Sequence, residues 1–385
     1  MSRPRVWAIG VCGLALVGAP ATAAAATTAQ PSNAPLATWQ AQGRVSAIAI
    51  SHGVVYIGGS FTSLSSHGTR RTITRNHLAA INEATGTPTA WNPNVDGPVR
   101  AIRVIGKRVY IGGAFARVGG RPVRNLAVVG RRRGRVVAGF HASANGQVTA
   151  LAASARRLYI GGTFSRVEGH AHGNLAAVSL RTGALARSWT ARTNGTVHTL
   201  LVDTADGRVF VGGHFSRVDG RSRPWLASLG AKRGSVFRWA SPPLGQVWSV
   251  TLSPQGPLYA AVGGHQGGQL DSYHPLTGGL RWHRFADGDV QAVSVAGSTI
   301  LAGGHFLNAC TTNQGGGSPW MCAAPLRRNR FFATNQQGAI QSWNPNGNSL
   351  HGVWVLRSDR RHVAAGGDFT IIDGIHQARY AEFPR

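Results

Sequence analysis

Arg108-Val109-Tyr110-Ile111-Gly112-Gly113-Ala114-Phe115-Ala116-Arg117-Val118-Gly119-Gly120 is the stretch whose reading decides the fold. An apolar run ends in Gly-Gly, a phenylalanine follows one residue later, and a glycine turn closes the motif. Close copies run from Val55 to Phe61, Leu158 to Phe164 and Val209 to Phe215. Weaker copies run from Ile300 to Phe306 and Val363 to Phe369. The most degraded begins at Leu258 and places Gln266 where the aromatic belongs. The seven Gly-Gly anchors are Gly58, Gly112, Gly161, Gly212, Gly263, Gly303 and Gly366, with steps of 54, 49, 51, 51, 40 and 63 residues. A period near fifty matches propeller blades of roughly 40–50 residues and exceeds the roughly 20–29 of leucine-rich solenoids.

Working outward, the third repeat shows four strand segments: Val148 to Ala152, Leu158 to Gly162, Leu175 to Val178 and Leu185 to Trp189. They are short, alternate apolar with small or polar residues, and are separated by turn residues, the signal of antiparallel hairpins. Gly-Gly allows backbones to approach closely where blades crowd together. Two sets of repeated aromatics are assigned to packing between blades. One is Phe61, Phe115, Phe164, Phe215, Phe306 and Phe369; the other is Trp39, Trp91, Phe140, Trp189, Trp239, Trp282 and Trp343.

The two chain ends fit each other. Arg379 to Phe383 matches a third segment, so the last repeat lacks a fourth strand, while Pro35 to Ala41 matches a fourth segment with no repeat before it. The expected fold is therefore all-β: a seven-bladed β-propeller of four-stranded blades over residues 36–385, closed by the N-terminal strand completing the last blade. Such closure removes an edge that would otherwise invite aggregation.

These residues resemble a known family. Tyr56 to Phe61, Asn125-Leu126-Ala127, Asn174-Leu175-Ala176, Thr182-Gly183, Trp91-Asn92-Pro93 and Trp343-Asn344-Pro345 carry a pattern similar to the bacterial delta-sixty repeat propellers. Those are similar in turn to the propeller of a fungal cortical cell-polarity marker. The resemblance covers about residues 36–385 and implies the fold; it brings no catalytic residues. The fifth repeat departs by losing its Phe and glycine turn, and the sixth by inserting Leu307 to Asn329.

Ahead of the repeats, Arg3 and Arg5 precede an apolar core from Val6 to Val17 and then small residues. Residues 1–25 thus read as a secretory signal peptide, too short in its apolar core for a spanning helix. Residues 26–35 read as a flexible lead-in. The expected location is secreted, or associated with the cell envelope, as a monomer. Cys310 and Cys322 are then the mature cysteines, and in an exported chain such a pair reads as a disulfide.

The formal charge is +27, carried almost wholly by arginine, since Lys107 and Lys232 are the only lysines. Such a field attracts polyanions, whether nucleic acid or an anionic cell-envelope polymer. The basic residues are nevertheless spread over every repeat, without the concentration beside stacking aromatics of a dedicated nucleic-acid face.

Two constellations stand out. The residue after each Gly-Gly forms a polar series that ends in His214, His265, His305 and Asp368, on four consecutive repeats. It reads as hydrogen bonding between neighbours, not as a metal set. The 307–329 insertion is the candidate binding loop, with Trp320, Met321, Arg327, Arg328 and Arg330 beside the cysteine pair; Trp and Arg are enriched in binding hot spots. Of the thirteen acidic residues several sit in turn contexts, such as Asp206-Gly207 and Asp373-Gly374, and no nucleophile elbow, P-loop, zincin helix or EF-hand loop occurs. No cofactor and no catalytic residue is assigned. The leading expectation is a non-enzymatic binding or scaffold protein with a protein or envelope-polymer partner. The alternatives are a propeller enzyme acting on glycans or small alcohols and sugars, and a polyanion binder using its arginines. Asn194-Gly195-Thr196 is a glycosylation sequon that matters only in a host that glycosylates.

Overall fold

The computed structural model describes residues 30–68, 71–264, 267–311 and 324–385. The signal-peptide reading of residues 1–25 lies outside them. Among the described residues all regular structure is β-strand and no helix occurs.

Seven antiparallel sheets follow one another along the chain, each built on one Gly-Gly strand. In the third, Val148–Ala153 pairs with Arg157–Gly162, which pairs with Leu175–Ser179. The same order recurs from Val45–Ser51, Val99–Ile105, Thr196–Asp203, Gln246–Leu252, Val290–Ala296 and Val353–Ser358 as first strands. Each first strand packs on that of the next sheet, and Val353–Ser358 packs on Val45–Ser51.

The two glycines of each anchor do different work. A Cβ on Gly161 would stand 2.4 Å from Val197 Cγ1 of the next sheet, and one on Gly162 would stand 1.9 Å from the Gln147 carbonyl of its own sheet. The first thus admits the neighbouring valine and the second admits the partner backbone. Gly366 repeats the first role against Val45, bringing the last sheet onto the first.

Between sheets lie seven apolar clusters, each shared by two neighbours. Tyr159 and Trp189 of the third sheet meet Val197, Val209 and Phe215 of the fourth in one of them. Another joins Val355, Ala364 and Tyr380 of the last sheet to Val45, Ile57 and Phe61 of the first. Both aromatic series therefore sit where the sequence placed them, between neighbours. Burying each such ring contributes roughly 1.5–3 kcal/mol by area.

The fourth segment differs from the expected strand. In most sheets it joins by one bridge, as at Val178↔Leu185 and Leu229↔Val236, and then leaves the ladder. The tryptophan explains the departure: Trp189 turns inward so that its indole Nε1 donates to Gly230 O of the next sheet at 3.0 Å. Trp91 does the same to Gly130 O at 3.0 Å. The chain then bridges a small hairpin of the following unit, as at Val95↔Val118 and Thr193↔Val218. The fifth sheet, the most degraded in sequence, is the one where Leu280–Ala286 pairs along the whole of Gly268–Tyr273. Among the described residues it has no small hairpin, and its third strand, Gly268–Tyr273, holds a full partner.

The 307–329 insertion proves to be a lengthened version of that hairpin. Its stems Asn308–Cys310 and Pro325–Arg327 pair with each other, and Ala309 bridges Ala286 of the fifth sheet. Residues 30–35, expected as a free lead-in, are docked. Ser32 N donates to Pro384 O at 2.8 Å and Leu36 N to Glu382 O at 2.7 Å, along the outer edge of the last strand. Trp343 Nε1 donates to Ser32 O at 3.1 Å, beside the last strand of the next sheet, much as Trp91 and Trp189 reach the next unit.

Candidate functional site

The first strands of all seven sheets line one central cavity of about 430 Å³. Each of these strands carries a bulge at the same place, near its start, where the register with the Gly-Gly strand slips by one residue. A bulge re-aims the side chain it releases. The released residues are Ser46, Arg100, Thr149, His198, Trp248, Gln291 and Trp354. Six of them, all but Gln291, line a second, smaller cavity of about 100 Å³.

Their chemistry is dense. The imidazole of His198 lies on the indole of Trp248 at 4.4 Å, and Trp248 meets Trp354 edge-on at 5.7 Å. Arg44 lies over the Trp354 ring at 4.8 Å and pairs with Asp368 at 2.7 Å. Asp368 also accepts from Trp354 Nε1 at 3.2 Å. Arg100 donates to Ser46 Oγ at 3.1 Å. Burial, and then the Arg44 charge, lowers the pKa of Arg100.

Several polar atoms here have no protein partner. Trp248 Nε1, His198 Nε2, Arg100 Nε and Gln291 Oε1 are buried and make no hydrogen bond. A buried polar group without a partner costs about 1–3 kcal/mol, so a ligand that satisfies them gains on binding. Burial pushes His198 down to about 4, the Gln246 hydrogen bond opposing and the His214 charge assisting. His198 is therefore a neutral ring at neutral pH, able to stack and to exchange a hydrogen bond.

The polar series read from the sequence is placed at this same end, one strand further out, because Gly59 pairs with Val45 and the later units repeat that register. Asp368 joins the ring through Arg44 and Trp354. His214 stacks on Trp225 at 5.1 Å, and the pair borders an adjoining cavity of about 520 Å³ with Gln246 and Asp289. His305 donates its backbone N–H to Asp289 O at 2.8 Å; His265 lies outside the described residues. Asp368, His214 and His305 thus each have different partners.

The candidate loop is described only in part. Trp320, Met321 and Cys322 lie outside the described residues, and Cys310 is buried on its hairpin. Arg330, at φ 75°, donates to Phe306 O and Ser349 O, and Arg328 donates to Gln341 O at 3.1 Å. Those two guanidiniums brace the hairpin base. Arg327 is exposed on the hairpin stem.

The seven released residues were not selected from the sequence. The signal lies in a frame such as Val99-Arg100-Ala101, Val148-Thr149-Ala150 and Val247-Trp248-Ser249, where a variable residue follows a constant valine. Without the bulge, alternation along the strand does not say that this position faces the centre.

The architecture and site define the class: an all-β repeat chain with propeller relatives in structure. The WD40 β-propeller domain of Doa1 matches over 91% of this chain and 96% of its own, with a TM-score of 0.56 and 9% identity. The computationally designed Ika8 protein matches over 90% of this chain and 98% of its own, with a TM-score of 0.51 and 13% identity. At such identities the likeness concerns the fold alone. No family model matches the chain, and no curated protein matches it in sequence.

Proposed function

We propose that this is an exported, non-enzymatic binding protein that takes an anionic saccharide of the cell envelope at the mouth of its central cavity. In this reading the seven sheets form a closed seven-bladed propeller of the delta-sixty repeat type. Each blade counts four segments, and residues 32–36 complete the last. A Cys310–Cys322 disulfide pins the long hairpin. Closure is supported by the packing of Val353–Ser358 on Val45–Ser51 and by the bonds from Ser32 and Leu36 to the last strand.

One observation carries the functional reading. Seven equivalent bulges, structurally interchangeable, bear Trp248, Trp354, His198 and Arg100 among them, with unsatisfied donors at the mouth. Indole faces cover the apolar faces of sugar rings, and Arg100 suits an acidic substituent. The test is titration of envelope polysaccharide fragments against tryptophan fluorescence. Trp248→Ala and Trp354→Ala should each weaken binding about tenfold, the equivalent of roughly 1.4 kcal/mol. Equal binding by the variants and the parent would remove the reading.

General polyanion binding is the second reading, favoured by the charge of +27 and by one arginine–carboxylate ion pair, Arg44–Asp368, among the described residues. It predicts affinity that falls steeply with salt and ignores Trp248. For an enzyme acting on glycans or small alcohols, a free carboxylate is needed, and Asp368 is committed to Arg44 and Trp354.

A further inference from the structure

Of the thirteen acidic residues, three meet at one place, where the last sheet packs on the first. Glu83 follows the third strand of the first sheet, Leu78–Asn82, and is 5% exposed. Asp359 and His362 flank the turn between the first two strands of the last sheet, Val353–Ser358 and His362–Gly367. One ligand atom from each of Glu83, Asp359 and His362 lies within 4.8 Å of the others, a group found once among the described residues. His362 Nδ1 stands 2.9 Å from Glu83 Oε1.

A fourth donor faces the same place independently. Glu382, on the last strand, is 0% exposed, and its Oε2 makes no hydrogen bond. Its Oε1 accepts from the Tyr380 hydroxyl. In the ladder Glu382 pairs with Ala364 while His362 pairs with Pro384, so Glu382 and His362 are diagonal neighbours on one face of the sheet. Glu83, Asp359 and His362 are all near enough for their charges to act on it.

The arrangement has the wrong balance for a simple ion pair. Glu83 and Asp359 bring two carboxyls within 4.8 Å of each other, and neighbouring carboxylates are eased by a proton or a cation between them. Asp359 already accepts from the backbone N–H groups of Arg361 and His362 through Oδ1, at 2.7 and 2.9 Å, which orients the carboxylate as supports behind a metal do. Asp359 also borders the central cavity, which gives an ion a route in.

We propose that Glu83, Asp359 and His362, with the buried Glu382 beside them, form a divalent-cation site that ties the last sheet to the first. One imidazole with several carboxylates suits a first-row ion such as Zn²⁺ or Mn²⁺ better than Ca²⁺, which takes oxygen donors throughout. Because Glu83 comes from one end of the chain and the other three from the opposite end, the ion would fasten the fold where its termini meet. Metal entry displaces any proton held between the carboxyls, so binding releases protons.

The experiment uses the full chain dialysed against a chelator, titrated with Zn²⁺ alone by calorimetry in buffers of differing ionisation enthalpy, with thermal melting alongside. The expected result is one Zn²⁺ per chain, proton release and a higher melting temperature. His362→Gln and Glu83→Gln should each weaken that binding at least about tenfold, the least that even an outer-shell partner contributes. Asp271→Asn, a buried carboxylate elsewhere, should leave it unchanged. Glu83→Gln also removes a carboxylate from the cluster, so the metal-free variant should melt no lower than the metal-free parent, which separates lost binding from lost folding. Absence of a stoichiometric Zn²⁺ site, or equal binding by parent and both variants, overturns the proposal.

Discussion

His198 lies nearly flat on the indole of Trp248, their ring centroids 4.4 Å apart and their planes 21° apart. The two residues occupy equivalent bulges on adjacent sheets, so the stack exists only because two strands fifty residues apart in sequence present the same position to one centre.

The stack has a pH signature. A histidine held down to about 4 resists protonation in the folded chain, whereas the unfolded chain protonates near 6.5. Its contribution to stability is therefore present above about 6.5 and is lost as pH falls through about 4. His198→Gln should lose less melting temperature than the parent between about pH 7 and pH 4.5, measured as a difference so that other groups cancel. Identical losses would show that His198 is not held neutral by its surroundings.

The third sheet's glycine pair gives a test of the fold. Gly161→Ala meets the Val197 side chain, and Gly162→Ala meets the Gln147 backbone. Overpacking of the first kind costs about 1–3 kcal/mol. Val197→Ala should recover part of that loss in the double variant and none of the loss from Gly162→Ala. Chemical denaturation of the three single and two double variants reads the coupling directly.

A buried acid in the fifth sheet predicts an alkaline weakness. Asp271 is 1% exposed and accepts from the Tyr273 hydroxyl at 2.7 Å. Burial raises it from 3.8 to about 7, the Tyr273 hydrogen bond opposing. A raised carboxyl stabilises the fold below its ordinary value and loses that contribution as pH rises through about 7. Asp271→Asn should therefore melt above the parent at about pH 8 and close to it at about pH 4. A variant that melts lower at both values would assign Asp271 a different role.

Much of the fold was legible because its signals are local. Gly-Gly, the following Phe and the Asn-Leu-Ala third segment each lie within a few residues, and the structure builds a sheet on every anchor. The fourth segment was misjudged because Trp189 answers to Gly230, forty-one residues away, and not to its own ladder. The fifth repeat was read as degraded, yet its fourth strand is the one that pairs along the whole of the third. Of the candidate site, Asp368 and His214 were picked out, but as a series and not for their actual partners, Arg44 and Trp225. Arg328 and Arg330 looked like ligand-binding groups because sequence cannot show that their guanidiniums reach backbone carbonyls.

The sequence by itself determined a β-rich chain of seven similar units, since hydrophobic alternation and glycine placement act through neighbouring residues. Tertiary structure alone decided which side chains share a space. The bulges turn Arg100, His198, Trp248 and Trp354 to one cavity, and the packing of the last sheet on the first brings Glu83 to Asp359 and His362, beside Glu382. Those contacts are made between strands distant in sequence, and their energies depend on distances that no local pattern records.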